Sequence, residues 1–89
     1  MVLLLSDSRH GPTENDIEAI EFFNALELPV VLVMTKMHQL KNQKMRAQRK
    51  KAVKEILDNN SHLDIERKFW TSSKDFKTFI ELVNYIKES

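Results

Sequence analysis

Two short, unbroken apolar runs stand out in the pattern of hydrophobic and polar residues. The first covers residues 2–5, and the second, residues 30–34, begins directly after Pro29. Because neither run alternates with polar residues, each is predicted to be a buried strand of a parallel sheet, and the second run is expected to be covered on both faces. Proline suits its position, since it can begin a central strand but cannot donate a hydrogen bond within one.

The segment between the two runs has the pattern of an amphipathic helix. Thr13 is a natural N-cap, and Asp16 lies three residues later, as in a capping box. Apolar residues then recur with helical spacing at four positions: Ile17, Ile20, Phe23 and Leu26. The helix is expected to stop near Glu27, because Pro29 pushes the residue before it toward an extended conformation.

Two further helices and a third strand are predicted in the second half of the chain. Residues 43–58 combine basic residues with an apolar side, and the polar residues 59–61 end this helix. Residues 68–71 are predicted to form a short strand, and residues 76–87 a last helix with apolar residues at i, i+3, i+4 and i+7. The order β-α-β-α-β-α indicates one α/β domain, residues 1–89, built on a short parallel sheet.

Aromatic residues are expected to contribute to the hydrophobic core. Four phenylalanines are assigned to the core on helical spacing alone: Phe22, Phe23, Phe76 and Phe79. Trp70 is expected there too, where its indole N–H needs a hydrogen-bond partner.

The composition excludes several classes of protein. The chain has 89 residues, a formal net charge of +1, one glycine and no cysteine. Without cysteine there are no disulfides or thiolate metal sites, and a single glycine cannot supply a phosphate-binding P-loop or a dinucleotide fingerprint. The apolar runs are far shorter than the roughly 20 residues that span a bilayer, and the first residues lack the basic region of a signal peptide. We therefore expect a soluble, cytoplasmic protein without membrane partners.

Polar residues follow each of the first two predicted strands at the point where the strand ends. Residues 6–10 follow the first strand, and residues 35–38 follow the second. In open α/β sheets, ligands bind just beyond the carboxyl ends of the strands. These loops are therefore the candidate functional region.

Two other chemical roles for these loops are less favoured. His10 and His38 have no thiolate or ordered carboxylate beside them in the pattern, so we expect exposed loop residues rather than metal ligands. Asp7 and Arg9 are expected to organise the loop after the first strand rather than to form a catalytic pair.

Three short motifs occur in order along the chain. Residues 7–13 read Asp-Ser-Arg-His-Gly-Pro-Thr, residues 35–38 read Thr-Lys-Met-His, and residues 72–74 read Ser-Ser-Lys. Together they closely resemble the EngB (YihA/YsxC) ribosome-assembly GTPases. That family carries Asp-x-Arg-His-Gly-Pro-Thr after an apolar strand, a guanine-recognition motif Thr-Lys-x-Asp, and a last loop of Ser-Ser-Lys or Ser-Ala-Lys. Order and spacing agree across essentially the whole chain.

The resemblance implies the C-terminal half of a G domain, with a partial P-loop-NTPase-like sheet of three parallel strands and three helices. In the family, the phosphate-binding loop, the switch threonine and the magnesium loop lie upstream of the matched region. The resemblance therefore implies no catalytic residue, metal site or cofactor in this chain alone. GTP or GDP and Mg²⁺ would bind only if a separate N-terminal half completed the domain, and hydrolysis by this chain alone is not expected. Ribosomal RNA or a ribosomal subunit is the implied partner.

The resemblance assigns base binding to six residues of two loops: Thr35, Lys36, His38, Ser72, Ser73 and Lys74. The stem of Lys36 would lie along the base, and the backbone N–H of Ser73 would face the guanine carbonyl oxygen. His38 departs from the family pattern, which has an aspartate that accepts hydrogen bonds from guanine N1–H and the exocyclic amine. A neutral imidazole offers one acceptor and a protonated one offers none, so weak guanine binding is expected.

The predicted second helix carries basic residues without a carboxylate between positions 41 and 54. Four of them are the candidates for binding a polyanion: Arg46, Arg49, Lys50 and Lys51. Basic side chains that neutralise the phosphates of a polyanion release counterions, which favours binding. The alternative is that these residues form only a solvated helix face. The helix has no interleaved aromatic residues, so base stacking is not implied. A second hypothesis is therefore a small RNA- or ribosome-associated module without nucleotide binding.

Self-association is also predicted, from the topology. In the sheet order of the family, the first strand would pair with a strand of the N-terminal half, so its edge would be free here. The first two helices are expected to share one face of the sheet, and a single helix cannot cover three strands on the other face. Apolar residues of the first strand should stay exposed, and a two-fold dimer is the simplest expected assembly.

Overall fold

The computed structural model describes residues 1–88, so that Ser89, the last residue of the predicted domain, lies outside the described residues. The elements follow in the predicted order: β1 (Val2–Asp7), α1 (Glu14–Ala25), β2 (Val30–Thr35), α2 (Gln43–Asn59), β3 (Arg67–Trp70) and α3 (Phe76–Glu88). A short 3-10 turn, Met37–Gln39, connects β2 to α2. The predicted α/β architecture is confirmed. None of the helices within residues 1–88 has the length and apolar character needed to cross a membrane.

The central strand of the sheet is β2. It pairs in parallel with β1 on one side and with β3 on the other, which places Leu4 beside Leu32 and Val33 beside Phe69. Residues 30–34 are at most 1% exposed. The prediction that this run is buried on both faces is confirmed, because β2 has a neighbour at each edge and helices on both faces.

The hydrophobic core lies in two clusters, one on each face of the sheet. The cluster under α2 contains Leu32, Met34 and Val53, and the cluster under α3 contains Val31, Val33, Phe69 and Leu82. Helix α1 lies on the same face as α2, where Ser6 of β1 donates a hydrogen bond to Asp16 of α1 over 3.2 Å. Two helices therefore share one face and α3 is alone on the other, as the topology predicted.

The predicted limits of α1 agree closely with its structure. The backbone N–H of Asp16 donates to the Thr13 hydroxyl over 3.3 Å, and the backbone N–H of Thr13 donates to the Asp16 carboxylate over 3.0 Å. These two reciprocal bonds form the predicted capping box. The last helical residue is Ala25, and the chain leaves the helix through Glu27, which has a positive φ of 58°.

One face of β1 is open, which confirms the prediction that apolar residues of the first strand stay exposed. Leu3 is 42% exposed and Leu5 is 64% exposed, whereas Val2 and Leu4 on the other face are half-buried. The register places Leu3 and Leu5 on the α3 face, next to Val31 and Val33. Helix α3 covers β2 and β3 but not β1, so one face of β1 remains open.

The aromatic core prediction is wrong for two residues. Phe22 is 60% exposed and Phe76 is 76% exposed, whereas Phe23 and Phe79 are half-buried. Helical spacing identifies an apolar side, but it does not tell how much of that side touches the sheet. In α1 the buried residue is Ile20. Trp70, expected in the core, is half-buried against the cluster under α2.

Candidate functional site

The carboxyl ends of β2 and β3 bring the two candidate loops together. Thr71, directly after β3, is completely buried. Its backbone N–H donates to the Met34 carbonyl over 2.7 Å, its hydroxyl donates to the same carbonyl over 3.1 Å, and its own carbonyl accepts from the Met37 N–H over 3.1 Å. These bonds fix the start of the loop after β3 against the turn after β2.

Ser72 connects three of the six residues in the predicted base site. The His38 Nδ1 atom lies 3.2 Å from the Ser72 hydroxyl oxygen, which also accepts the backbone N–H of Lys74 over 3.1 Å. The Ser72 N–H donates in turn to the Thr78 hydroxyl of α3 over 3.0 Å. His38 is half-buried, which corrects the expectation of an exposed loop histidine, because its ring lies against Ser72. Ser73 is exposed at the tip of the loop.

The contact with Ser72 limits what His38 can offer to a ligand. When the Ser72 hydroxyl donates to Nδ1, the neutral ring carries its proton on Nε2 and presents only a donor. When Nδ1–H donates to Ser72 instead, Nε2 is a single acceptor, and the Gln39 amide nitrogen already lies 3.4 Å from it. In neither tautomer does His38 reproduce the two acceptor oxygens of an aspartate, which guanine N1–H and its amine would require.

Thr35 and Lys36 contact the carboxyl end of β1 and the loop that follows it, rather than the loop after β3. The Thr35 hydroxyl donates to the Ser6 carbonyl over 3.3 Å, and the Ser8 hydroxyl donates to the Thr35 carbonyl. Lys36 has a left-handed backbone with φ of 61°, which is uncommon for a residue with a side chain and turns the chain out of β2. Its Nζ atom lies 3.7 Å from the Asp7 carboxylate. The structure therefore places these two residues beside Asp7 and not in the Ser72 network.

Asp7 holds the loop after β1 through Arg9. The Arg9 Nε and Nη2 atoms donate to the two carboxylate oxygens over 3.2 and 2.7 Å, and the backbone N–H of Arg9 donates over 2.9 Å. These contacts are those expected of a pair that organises the loop. The Arg9 guanidinium holds the pKa of the Asp7 carboxyl well below its usual range.

This lowered pKa predicts how Asp7 affects stability. A carboxyl whose folded-state pKa is depressed stabilises the fold above its unfolded pKa of about 3.9, and this stabilisation is lost as the pH falls through the lower folded-state pKa. We expect Asp7→Asn to lower the urea midpoint at pH 7 and to weaken the dependence of that midpoint on pH below about 4. Asp58→Asn, an exposed carboxylate of α2, is the matched control. An acid dependence equal to that of the unchanged chain would contradict the role of Asp7.

Residues of the predicted base-binding site and of the predicted polyanion-binding site line one groove of about 500 Å³. His38, Ser72 and Lys74 line one wall, and Arg46 and Lys50 of α2 line the other, with Trp70 between them. Arg49 lies elsewhere, beside Leu40 and Met45. Lys51 is exposed on α2 and does not line the groove.

The contribution of Trp70 to this groove was missed at the level of sequence. The basic helix contains no aromatic residue, and Trp70 reaches it only because β3 lies under α2 in the sheet. The Lys50 Nζ atom lies 5.7 Å from the centre of the Trp70 ring, a cation–π distance. No signal in the linear spacing of the two residues indicates this contact.

Within residues 1–88, no group of three or more His, Cys, Asp and Glu side chains is arranged to hold a metal ion. His10 is exposed in the loop after β1.

The chain has clear relatives among known proteins, although no protein-family model matches it. A probable GTP-binding protein EngB of Mycoplasmopsis agalactiae is 36% identical over 89 residues, which is 100% of this chain and 45% of that protein. The chain is an EngB-type sequence. Proteins of the same description from Mesoplasma florum and Lactobacillus acidophilus are 36% and 41% identical over 65% and 56% of the chain. The resemblance carried by the three motifs is confirmed.

The EngB-type chain matches the C-terminal portion of these relatives. It spans less than half the length of the first of them. Its three parallel strands and three helices agree with a partial G-domain sheet.

Proposed function

We propose that this chain supplies the guanine-recognition half of an EngB-type GTP-binding domain. The observation that carries the proposal is the Ser72 network, which joins His38 of the first loop to Lys74 of the second at the carboxyl ends of the strands. Similarity along the whole chain to a protein described as a probable GTP-binding protein supports it. Phosphate and Mg²⁺ binding, and any hydrolysis, would come from the part of the relatives that this chain does not match.

Guanine nucleotides should bind the chain alone only weakly. A ligand that makes no phosphate contacts and finds one acceptor in place of a carboxylate retains little of its binding free energy. Hydrogen bonds to charged groups contribute about 1.5–3 kcal/mol each, and His38 cannot replace the two that the aspartate makes in the family. We expect a Kd for GDP of about 1 mM or weaker, which corresponds to roughly −4 kcal/mol.

His38→Asp should improve the discrimination of guanine over adenine. The carboxylate restores the two acceptors that face guanine N1–H and the amine, and adenine cannot donate at both positions. We expect the ratio of ADP to GDP dissociation constants to rise by about tenfold or more, measured by calorimetry.

The matched control is His10→Asp, which makes the same change in the exposed loop after β1 and should leave both affinities unaltered. If His38→Asp also leaves both affinities unaltered, these loops do not form a base pocket in this chain. A micromolar GDP affinity for the unchanged chain would contradict the proposed half-site.

The part of the domain that completes the site would pack on the open side of β1. Leu3 and Leu5 leave an apolar surface on the α3 face, and α3 exposes Ile80 and Val83 on the same face. A second strand at the free edge would pair the backbone of β1 but would not cover these side chains. A polypeptide that covers both the free edge of β1 and these apolar side chains needs a strand and a helix. This requirement supports completion by the unmatched half of an EngB-type relative.

The same resemblance suggests a role for the completed domain in ribosome assembly in the cytoplasm, with a ribosomal subunit or its RNA as partner. The support for this role is the motif pattern of residues 7–13, 35–38 and 72–74. Co-sedimentation of the completed domain with ribosomal subunits, absent with an unrelated GTP-binding protein, tests it.

A further inference from the structure

The sheet has two open edges whose side chains differ. Within residues 1–88, β2 is the only neighbour of β1 on one side and of β3 on the other. The β1 edge is six residues long, and its residues 2–6 carry no charged side chain. The β3 edge is four residues long and contains Arg67 and Lys68, which are both exposed. The difference matters because open edges pair with strands of other chains.

The backbone of β1 is suited to pairing with another strand. The Val2 N–H donates to the Pro29 carbonyl over 2.8 Å. Because every second residue of a parallel strand bonds to the same neighbour, Leu3 and Leu5 direct their N–H and C=O groups to the open edge. Their side chains are apolar and exposed. An added strand would therefore gain backbone hydrogen bonds without removing water from a charge.

The β3 edge carries a positive charge on each face of the sheet. The Glu66 N–H donates to the Val30 carbonyl over 2.9 Å, so the same alternation turns the backbone groups of Arg67 outward. The Arg67 side chain lies on the α3 face with Phe69, and Lys68 lies on the opposite face. A strand paired here would bring its side chains to about 5 Å from both basic residues.

Two aromatic rings hold the charge of Arg67 at this edge. Its guanidinium carbon lies 5.2 Å from the centre of the Phe69 ring and 5.3 Å from the centre of the Tyr85 ring of α3. These are cation–π distances, and the two contacts restrict the side chain. The ion pairs of the described residues include neither Arg67 nor Lys68. A strand without carboxylates would therefore remove water from an unpaired charge, which is unfavourable.

The two basic residues oppose two of the three possible contacts between the edges of separate copies. Pairing of β3 with β3 would bring like charges together. Pairing of β1 with β3 of the next copy would place a leucine beside Arg67 or Lys68, and this head-to-tail contact is the one that repeats without closing. Pairing of β1 with β1 is two-fold, and it leaves only the β3 edges free.

We propose that Arg67 and Lys68 protect β3 from strand pairing, so that association of this chain through β1 ends at two copies instead of growing into a fibre. The partner that the open edge of β1 takes is then a second copy of the chain. Neither residue belongs to the proposed guanine half-site, so the proposal is tested without nucleotide.

The experiment measures the mean mass of the full 89-residue chain by sedimentation over a range of protein concentrations. The mass of the unchanged chain should reach a plateau at two copies. Arg67→Thr/Lys68→Thr removes both charges and introduces residues that suit a strand, so its mass should rise past this plateau as the concentration increases. Adding Leu3→Lys to that variant charges the β1 edge and should stop the growth at two copies or fewer.

The matched control is Lys51→Thr/Lys54→Thr, which removes the same charge from exposed positions of α2 and should keep the plateau. It separates protection of the edge from the effect of net charge on solubility. Lys68→Thr alone keeps the Arg67 stack and should show less growth than the double variant, and circular dichroism checks that each variant is folded. Equal masses for Arg67→Thr/Lys68→Thr and the control, or growth that continues after Leu3→Lys, would overturn the proposal. So would an unchanged chain without a plateau at two copies.

Discussion

Mixing this chain with a polypeptide that corresponds to the unmatched N-terminal part of an EngB-type relative is expected to produce tight GDP binding that neither part shows alone. The second polypeptide would add the contacts to phosphate and Mg²⁺ that the resemblance assigns to the N-terminal half. Two charge-assisted hydrogen bonds of about 1.5–3 kcal/mol each would raise the affinity about 100-fold or more over the millimolar value expected for this chain. Calorimetric titration of GDP into each part and into the mixture measures the gain.

The control for this experiment changes the packing surface and leaves the base loops alone. Leu5→Lys places a charge on the open face of β1, where the second polypeptide would pack, and should remove most of the gain. Leu26→Lys makes the same substitution at an exposed position at the end of α1, on the other side of the sheet, and should keep it. A mixture that binds GDP no better than the separate parts would contradict completion of the domain by such a partner.

Without that partner, the chain is expected to self-associate through β1. The free edge presents unpaired backbone N–H and C=O groups, and the exposed Leu3 and Leu5 side chains make an apolar surface beside it. The simplest assembly is a two-fold dimer. Leu3→Lys should shift the chain to a monomer in sedimentation at high micromolar concentration, because natural sheets use such edge charges to prevent pairing.

Leu26→Lys is again the matched control and should leave the assembly unchanged. Leu3 is already 42% exposed, so the lysine should not unfold the chain, and circular dichroism checks this. A stable monomer for the unchanged chain, or an assembly that survives Leu3→Lys, would contradict the role of β1.

Local features of the sequence predicted the elements well. The capping residues Thr13 and Asp16 fix the start of α1 through two short-range bonds, and Pro29 fixes the start of β2 through its own backbone geometry. Such effects act within a few residues along the chain and are therefore readable from it. The motifs after β1, β2 and β3 were readable for the same reason, and they identified the family.

Contacts within the candidate site were less predictable. The three motifs indicated which loops matter, but not that Lys36 would approach Asp7 or that His38 would lie against Ser72. Both contacts join loops that are far apart in sequence and depend on the left-handed turn at Lys36. Motif spacing carries no information about the direction of a side chain after such a turn.

The sequence by itself determined the element order, the parallel sheet and the family, because periodicity, caps and motifs are local properties of the chain. Only the tertiary structure decided which apolar residues are buried and which basic residues lie close together. The runs that form β1 and β2 look alike in sequence, yet β2 is covered on both faces while Leu3 and Leu5 are open. Burial depends on the neighbours that the fold places around a strand, and a neighbour such as Trp70 beside Lys50 comes from a distant element.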